Sequence, residues 1–318
     1  MNNPESFIVA AAQATPAFLD GRATLEKATS LILEASKSGA RLIVFPEAFF
    51  PAYPDWVHLA AGGQQGGLLD DLYTELVENS VAVPDDTTER LCQAARKARI
   101  HVVMGLNERN QEASNASLYN SLLYIDDTGK ILGTHRKLIP TGGERTVWAQ
   151  GDGSTLEAYD TSIGKLGGLI CWENYMPLAR YAIYAWGTQI YVAPTWDRGD
   201  LWLTTLRHIA KEGGVFVIGC AMPLHMDDIP DRFEFKQLYA EGTTWINTGH
   251  SCIIGPSGQV IAGPLIEREE ILYAKVDLGQ ITASKRMFDV AGHYARPDVF
   301  QFIVNRKPNP MMRLTEPE

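Results

Sequence analysis

The chain has 318 residues, of which 45% are hydrophobic and 21% charged, a globular composition that excludes a disordered or fibrous protein and suits one large domain or two ordinary ones. Its 28 Lys and Arg against 38 Asp and Glu leave a net charge of −10, without the basic footprint of a nucleic-acid or anionic-membrane binder. The longest uncharged stretch, residues 181–196, is too short for a bilayer span and is broken by Gly187, Gln189 and Pro194, so no membrane association is expected.

In chain order, residues 7–13 read as a buried strand. Residues 22–38 place Leu25, Ala28, Leu31, Ile32 and Ala35 at helical spacing before Gly39, and 41–45 is a second strand. The run Gly62-Gly63-Gln64-Gln65-Gly66-Gly67 lacks the Lys-Ser/Thr of a phosphate loop and reads as a flexible loop. Asp86 and Glu89 form a capping box for a helix over 87–98, which feeds the apolar strand 100–106. A hairpin of 118–125 and 130–134 turns at Asp126-Asp127-Thr128-Gly129. Strands at 165–170, 189–192 and 215–221 then alternate with helices at 177–185 and 201–212, which indicates a layered α/β protein. The last third, with strands at 251–254, 260–262 and 271–276, looks antiparallel, so sheets of mixed direction are expected. No linker or repeat divides the chain. It reads as one domain over 1–300 with a short tail, 301–318.

Two polar groups follow strongly apolar strands: Glu47 after Leu-Ile-Val-Phe-Pro and Cys171 after Leu-Gly-Gly-Leu-Ile. The carboxyl edge of an α/β sheet is where ligands bind. A helix after Cys171 would favour its thiolate through the helix dipole, making it a nucleophile, whereas the bland alternative is a small buried side chain. Glu47, beside Pro46 and Phe49-Phe50, would have a raised pKa suited to a general base, or else be an acid at a helix N-terminus. Lys137 sits in the basic run His135-Arg136-Lys137, which an edge strand protected by charge would also explain, and Glu144-Arg145 would serve as a surface ion pair. Tyr53, Trp56, Trp148, Trp172 and Trp196 lie near these segments and either line a pocket or fill a core. Cys92, Cys171, Cys220 and Cys252 form no Cys-x-x-Cys or zinc pattern, and the first residues are polar and acidic, unlike a secretory signal, so reduced thiols in the cytoplasm and no bound metal are expected.

Taken together, Phe45-Pro46-Glu47, His135-Arg136-Lys137-Leu138-Ile139-Pro140-Thr141 with Glu144-Arg145, and Cys171-Trp172-Glu173-Asn174 carry a specific resemblance. The chain resembles the carbon-nitrogen hydrolase superfamily and, within it, the nitrilase branch. Met104-Gly105-Leu106-Asn107-Glu108-Arg109 and the segment from His293 to Phe300 extend the likeness along the chain. The resemblance implies an α-β-β-α sandwich and a hydrolase acting on carbon-nitrogen bonds. It makes Glu47 the general base, Lys137 the cationic stabiliser, Cys171 the nucleophile and Glu144 an additional acid positioning substrate or Lys137. No cofactor is implied. The substrate would be a small nitrile contacting Tyr53, Trp172 and Trp196, with Trp172 and Lys137 shaping a slot that crowds a planar amide. Trp172-Glu173 stands where amidase branches tend to carry Tyr-Asp. An aliphatic amidase or a cyanide-hydrolysing enzyme is the alternative, and a silent oligomerising scaffold is opposed by the retained Glu47, Lys137, Glu144 and Cys171. Only eighteen residues follow Phe300, so a homodimer or small homo-oligomer is expected in place of the filaments of longer-tailed nitrilases.

Overall fold

The computed structural model describes residues 6–60, 66–112 and 114–310. Its first half runs β1 (Ser6–Gln13), α1 (Gly21–Lys37), β2 (Ala40–Val44), α2 (Gly66–Asn79), α3 (Asp86–Ala98), β3 (His101–Arg109), β4 (Leu118–Ile125) and β5 (Ile131–Arg136). The second half runs β6 (Ala158–Thr161), β7 (Gly164–Gly168), α4 (Pro177–Ala185), β8 (Ile190–Thr195), α5 (Asp200–Gly213) and β9 (Phe216–Ala221). A small hairpin of β10 (Pro223–His225) and β11 (Trp245–Thr248) follows, then β12 (Cys252–Ile254), β13 (Val260–Ala262), β14 (Glu270–Asp277) and α6 (Gly279–Lys285).

Two six-stranded sheets result, ordered β14-β1-β2-β3-β4-β5 and β13-β12-β9-β8-β7-β6. Period-two alternation along β1 explains the layering. Phe7, Val9 and Ala11 face the second sheet, where they meet Ile190, Val192, Phe216 and Ile218. Ala10 and Ala12 face the other way, into a core with Leu25, Ala28 and Ile32 of α1 and Leu91 and Ala95 of α3. On the far side Ile183 of α4 and Leu206 and Ile209 of α5 cover Tyr191 and Val217 of the second sheet. The expected α-β-β-α sandwich is the observed one.

Several local details differ from the sequence reading. The cap of α3 is Asp85, whose side chain accepts from Thr88 N while Thr88 Oγ1 accepts from Asp85 N, so the box lies one residue earlier than the Asp86/Glu89 pair. Gly66 and Gly67 open α2 and do not belong to a loop; the rest of the glycine-rich run, 62–65, lies outside the described residues. The helix after Cys171 spans Pro177–Ala185 as expected, but a 3₁₀ turn over Cys171–Tyr175 separates it from the thiol. Beyond Phe300 no helix or strand forms through 310, yet this part of the tail packs on the outer layer. The Phe302 ring lies 5.0 Å from that of Tyr181, and Arg306 pairs with Glu157 over the face of Trp186.

Strand direction places the site. β1, β2 and β3 are parallel, and β4 and β5 each reverse direction, so β5 ends at the same edge as β2. In the second sheet β7, β8 and β9 are parallel and also end together. Two glycines permit the close approach this edge requires. A Cβ on Gly105 would lie 2.0 Å from the carbonyl oxygen of Pro46, and one on Gly168 would lie 1.9 Å from that of Val192. Because both obstacles are backbone, Gly105→Ala is expected to destabilise the protein by about 3 kcal/mol, the upper end of ordinary overpacking, read as a lowered urea midpoint.

Candidate active site

Glu47 leaves β2 through Phe45-Pro46 and is wholly buried, with Ala48 behind it at a φ of 49°. Its Oε1 accepts from Lys137 Nζ at 2.7 Å and from Asn120 Nδ2 at 2.7 Å, and its Oε2 accepts from Trp196 N at 2.7 Å. The last bond joins the two sheets at their carboxyl edges. Burial raises the Glu47 pKa against the opposing pull of Lys137, and Glu144 adds to the rise. Neither the helix-terminal role nor a purely apolar surrounding describes this carboxylate. It is buried and held by three donors.

Lys137 follows β5 and is equally buried, its backbone N donating to Asn120 O at 2.8 Å. Besides Glu47, its Nζ donates to Glu144 Oε2 at 2.8 Å, and it stands 5.8 Å from the Trp148 ring centroid. Burial opposes the charge, but Glu47 and Glu144 more than offset it and keep the ammonium protonated. The basic run is therefore no solvated edge. His135 pairs with Glu173, Arg136 with Glu108, and Lys137 with Glu47 and Glu144.

Glu144 is no surface partner of Arg145. It sits buried in a 3₁₀ turn over Gly142–Thr146, fixed by Thr141 N at 2.6 Å and by the Tyr53 hydroxyl, which donates to Oε1 at 2.7 Å. Tyr53 stacks on Trp196 with ring centroids 4.4 Å apart and an interplanar angle of 3°.

Cys171 is buried at the start of its turn with φ 50°, a left-handed conformation that is costly for a residue other than glycine. Burial and then Glu47 push its thiol pKa up, only partly countered by Lys137, so the resting group is a thiol. Because a 3₁₀ turn intervenes and α4 begins at Pro177, the helix N-terminus expected to favour a thiolate does not lie at the sulfur. Cys171 opens into a cavity of about 900 Å³ lined also by Tyr53, Ile139, Glu144, Trp172 and Trp196. Trp172 is 52% exposed at the rim of this cavity, its Nε1 donating to Asp197 Oδ2 at 2.9 Å, whereas Lys137 is wholly buried. Trp56 packs against Phe18 and Phe235 in the core, and Trp148 lies behind Lys137 with its Nε1 bonded to Asn107 Oδ1 at 2.8 Å.

The structure brings Glu47, Lys137, Glu144 and Cys171 to one place and puts Cys92, Cys220 and Cys252 in cores. Sequence reasoning missed Asn120, whose only signal is a polar residue inside an apolar strand, and the backbone N–H of Trp196, which has no sequence signal. Among the described residues no group of three or more His, Cys, Asp or Glu could hold a metal ion, and no helix is long and apolar enough to cross a membrane.

Residues 8–286 match the carbon-nitrogen hydrolase family model. The chain is 42% identical to Nitrilase 2 of Arabidopsis thaliana over 301 residues, covering 93% of this chain and 88% of that protein. It is 41% identical to an aliphatic nitrilase of Sinorhizobium fredii over 306 residues, covering 95% and 96%. Among solved structures, a Saccharomyces cerevisiae member of branch 10 of the nitrilase superfamily shares the fold with a TM-score of 0.71 at 22% identity, covering 91% of this chain and 97% of that one. On these matches, and with an α-β-β-α sandwich to carry them, the chain belongs to the carbon-nitrogen hydrolase family, as a hydrolase of its nitrilase branch.

Proposed function

We propose that the protein hydrolyses an organic nitrile to the carboxylic acid and ammonia through covalent intermediates on Cys171. The observation that carries this is the buried Lys137 ammonium, bridged between Glu47 at 2.7 Å and Glu144 at 2.8 Å beside the only one of the four cysteines that reaches the cavity. A nitrile carbon is a weak electrophile, so attack needs a deprotonated sulfur and a donor for the nitrogen on which charge develops. Glu47 takes the Cys171 proton as Sγ bonds to carbon and passes it to the nitrogen, so that one π bond of C≡N is replaced by an N–H bond, giving a thioimidate. Water then adds to that carbon as Glu47 takes one of its protons and passes it to the nitrogen. Glu47 next moves the hydroxyl proton to the nitrogen, so that ammonia leaves as C=O forms and the C–S bond is retained as a thioester. A second water, again activated by Glu47, displaces Cys171 as the thiol and frees the acid. Lys137 stabilises the charge throughout, and Glu144 with Tyr53 holds Lys137 in place. The chemistry draws on no metal or organic cofactor.

The test is kcat/KM for matched nitrile and amide pairs, with ammonia and acid quantified. Nitriles are expected to be faster, with mainly acid released. Faster amide turnover across the panel would assign the chain to the aliphatic amidases, and turnover of cyanide alone would make it a cyanide hydrolase. A pH dependence follows as well. Glu47 must be ionised to act as base, and its pKa is raised above the ordinary value of 4.5. The acid limb of kcat/KM is therefore expected above pH 4.5, activity rising with pH through it, and a limb at or below that value would remove Glu47 as the base.

The same reading makes the enzyme a cytoplasmic homodimer or small oligomer. Four unpaired cysteines support the compartment. Leu178 of α4 and Leu201 of α5, 70% and 79% exposed on the outer layer, support association through these helices. Light scattering on Leu178→Glu should show the assembly weakened, and a fully active wild-type monomer at micromolar concentration would contradict it.

A further inference from the structure

Glu173 lies two residues beyond Cys171 and is buried, yet it is absent from the catalytic steps above. Both of its oxygens are used. Oε1 accepts from Leu138 N at 2.6 Å, Oε2 accepts from Ile170 N at 2.8 Å, and His135 Nε2 stands 3.2 and 3.1 Å from the two. The other ring nitrogen of His135, Nδ1, faces the carbonyl oxygen of Thr155 at 3.2 Å. A carboxylate and a carbonyl can only accept, so both ring nitrogens donate and His135 is an imidazolium. Burial opposes that charge, but Glu173 outweighs it.

The partners of Glu173 come from two sheets. His135 belongs to β5 and Leu138 directly follows Lys137, whereas Ile170 directly precedes Cys171. One carboxylate therefore ties the segment that carries the ammonium to the turn that carries the thiol. That turn is in need of restraint, since Cys171 itself occupies a left-handed conformation.

Building on the proposed roles of Cys171 and Lys137, we infer that Glu173 and His135 are the positioning pair of the reaction, a bracket across the two sheets that fixes where Lys137 stands relative to Cys171. A buried ion pair adds little net stability over apolar residues of the same volume, so the fold alone gives no reason for one here. What apolar residues cannot supply is direction, and a displacement of about 1 Å at a reacting centre costs on the order of 100-fold in rate.

The experiment compares Glu173→Gln, His135→Gln and the double variant for kcat, KM, melting temperature and the rate of Cys171 alkylation by iodoacetamide. Glu173→Gln keeps the shape but turns an amide N–H₂ toward one of the donors. It is expected to lose about 100-fold in kcat with KM within about threefold, while still melting cooperatively. His135→Gln leaves the carboxylate and both backbone bonds in place and should lose about tenfold, so it carries the test if Glu173→Gln does not fold. The double variant should be no slower than Glu173→Gln alone, because both changes open the same bracket. Folded variants with kcat within threefold of wild type, a rise in KM alone, or losses that multiply in the double variant would overturn the inference. Alkylation separates its failure from that of the nitrilase reading. If the wild type releases no ammonia from any nitrile, slower Cys171 alkylation in both single variants still supports the bracket, and an unchanged rate refutes it.

Discussion

Cys171→Ala should abolish turnover, by 10⁴-fold or more on the order of what loss of a covalent nucleophile costs, and leave a folded protein. The substitution removes one sulfur from a side chain facing the cavity, so the main loss is packing of a single atom, and stability should change by no more than roughly 1 kcal/mol. Cys92→Ala, Cys220→Ala and Cys252→Ala should keep the chemistry. Cys220 is the most informative control, because its Sγ lies 3.2 Å from Val44 O and 3.4 Å from Ala12 O between the sheets and can reach no substrate. Mass spectrometry of the enzyme quenched during turnover should find the acyl adduct on Cys171. An adduct mapped to any other cysteine would defeat the mechanism. The high thiol pKa adds a further expectation. Because burial pushes the Cys171 thiol up and a base must take its proton, Glu47→Gln should remain a competent fold yet fail at the first proton transfer, and no adduct should accumulate in it.

The legible parts of this chain are those where one local pattern has one structural meaning. The buried runs 7–13, 189–192 and 215–221 are strands because continuous apolar residues between turn signals fit a sheet covered on both faces, and the helix over 177–185 is bounded by Pro177 at its start. α2 escaped because two glycines open it and its buried face shows only Leu72 and Leu76. The cap of α3 was misplaced by one residue because Asp85 and Asp86 are chemically equivalent in sequence, and only the backbone decides which side chain turns inward. The site was legible in its members and hidden in its contacts. Glu47 and Lys137 are 90 residues apart, and their 2.7 Å bond exists because two reversals bring β5 back parallel to β2. The amide of Asn120 and the backbone N–H of Trp196 complete the Glu47 cradle from other strands, and the left-handed turn at Cys171 is a property of φ that no residue type announces.

Lys137→Arg, which preserves charge, should nonetheless lose about 10²- to 10³-fold in kcat. The lysine ammonium is a compact point that fits between two carboxylate oxygens at 2.7 and 2.8 Å with no solvent contact. A guanidinium is planar, longer and directional, and prefers a bidentate grip on one carboxylate. Gripping Glu47 in that way would compete with Asn120 and Trp196 N for its oxygens, and gripping Glu144 would compete with Tyr53 and Thr141 N. Either choice would move Glu47 or Glu144 and crowd the Trp148 ring behind them. The cation would remain but no longer stand where the proposed mechanism places it, so transition-state stabilisation should be lost while substrate binding in the cavity is largely kept. kcat should therefore fall far more than KM rises. Lys137→Met separates position from charge. It strands Glu47 and Glu144 together in a buried site without their cation, which should cost roughly 3 to 5 kcal/mol of stability and remove activity entirely. Thermal melts beside steady-state kinetics on the three proteins decide the matter. Near-normal kcat in Lys137→Arg would show that any buried positive charge suffices and that the geometry of the ammonium contributes nothing.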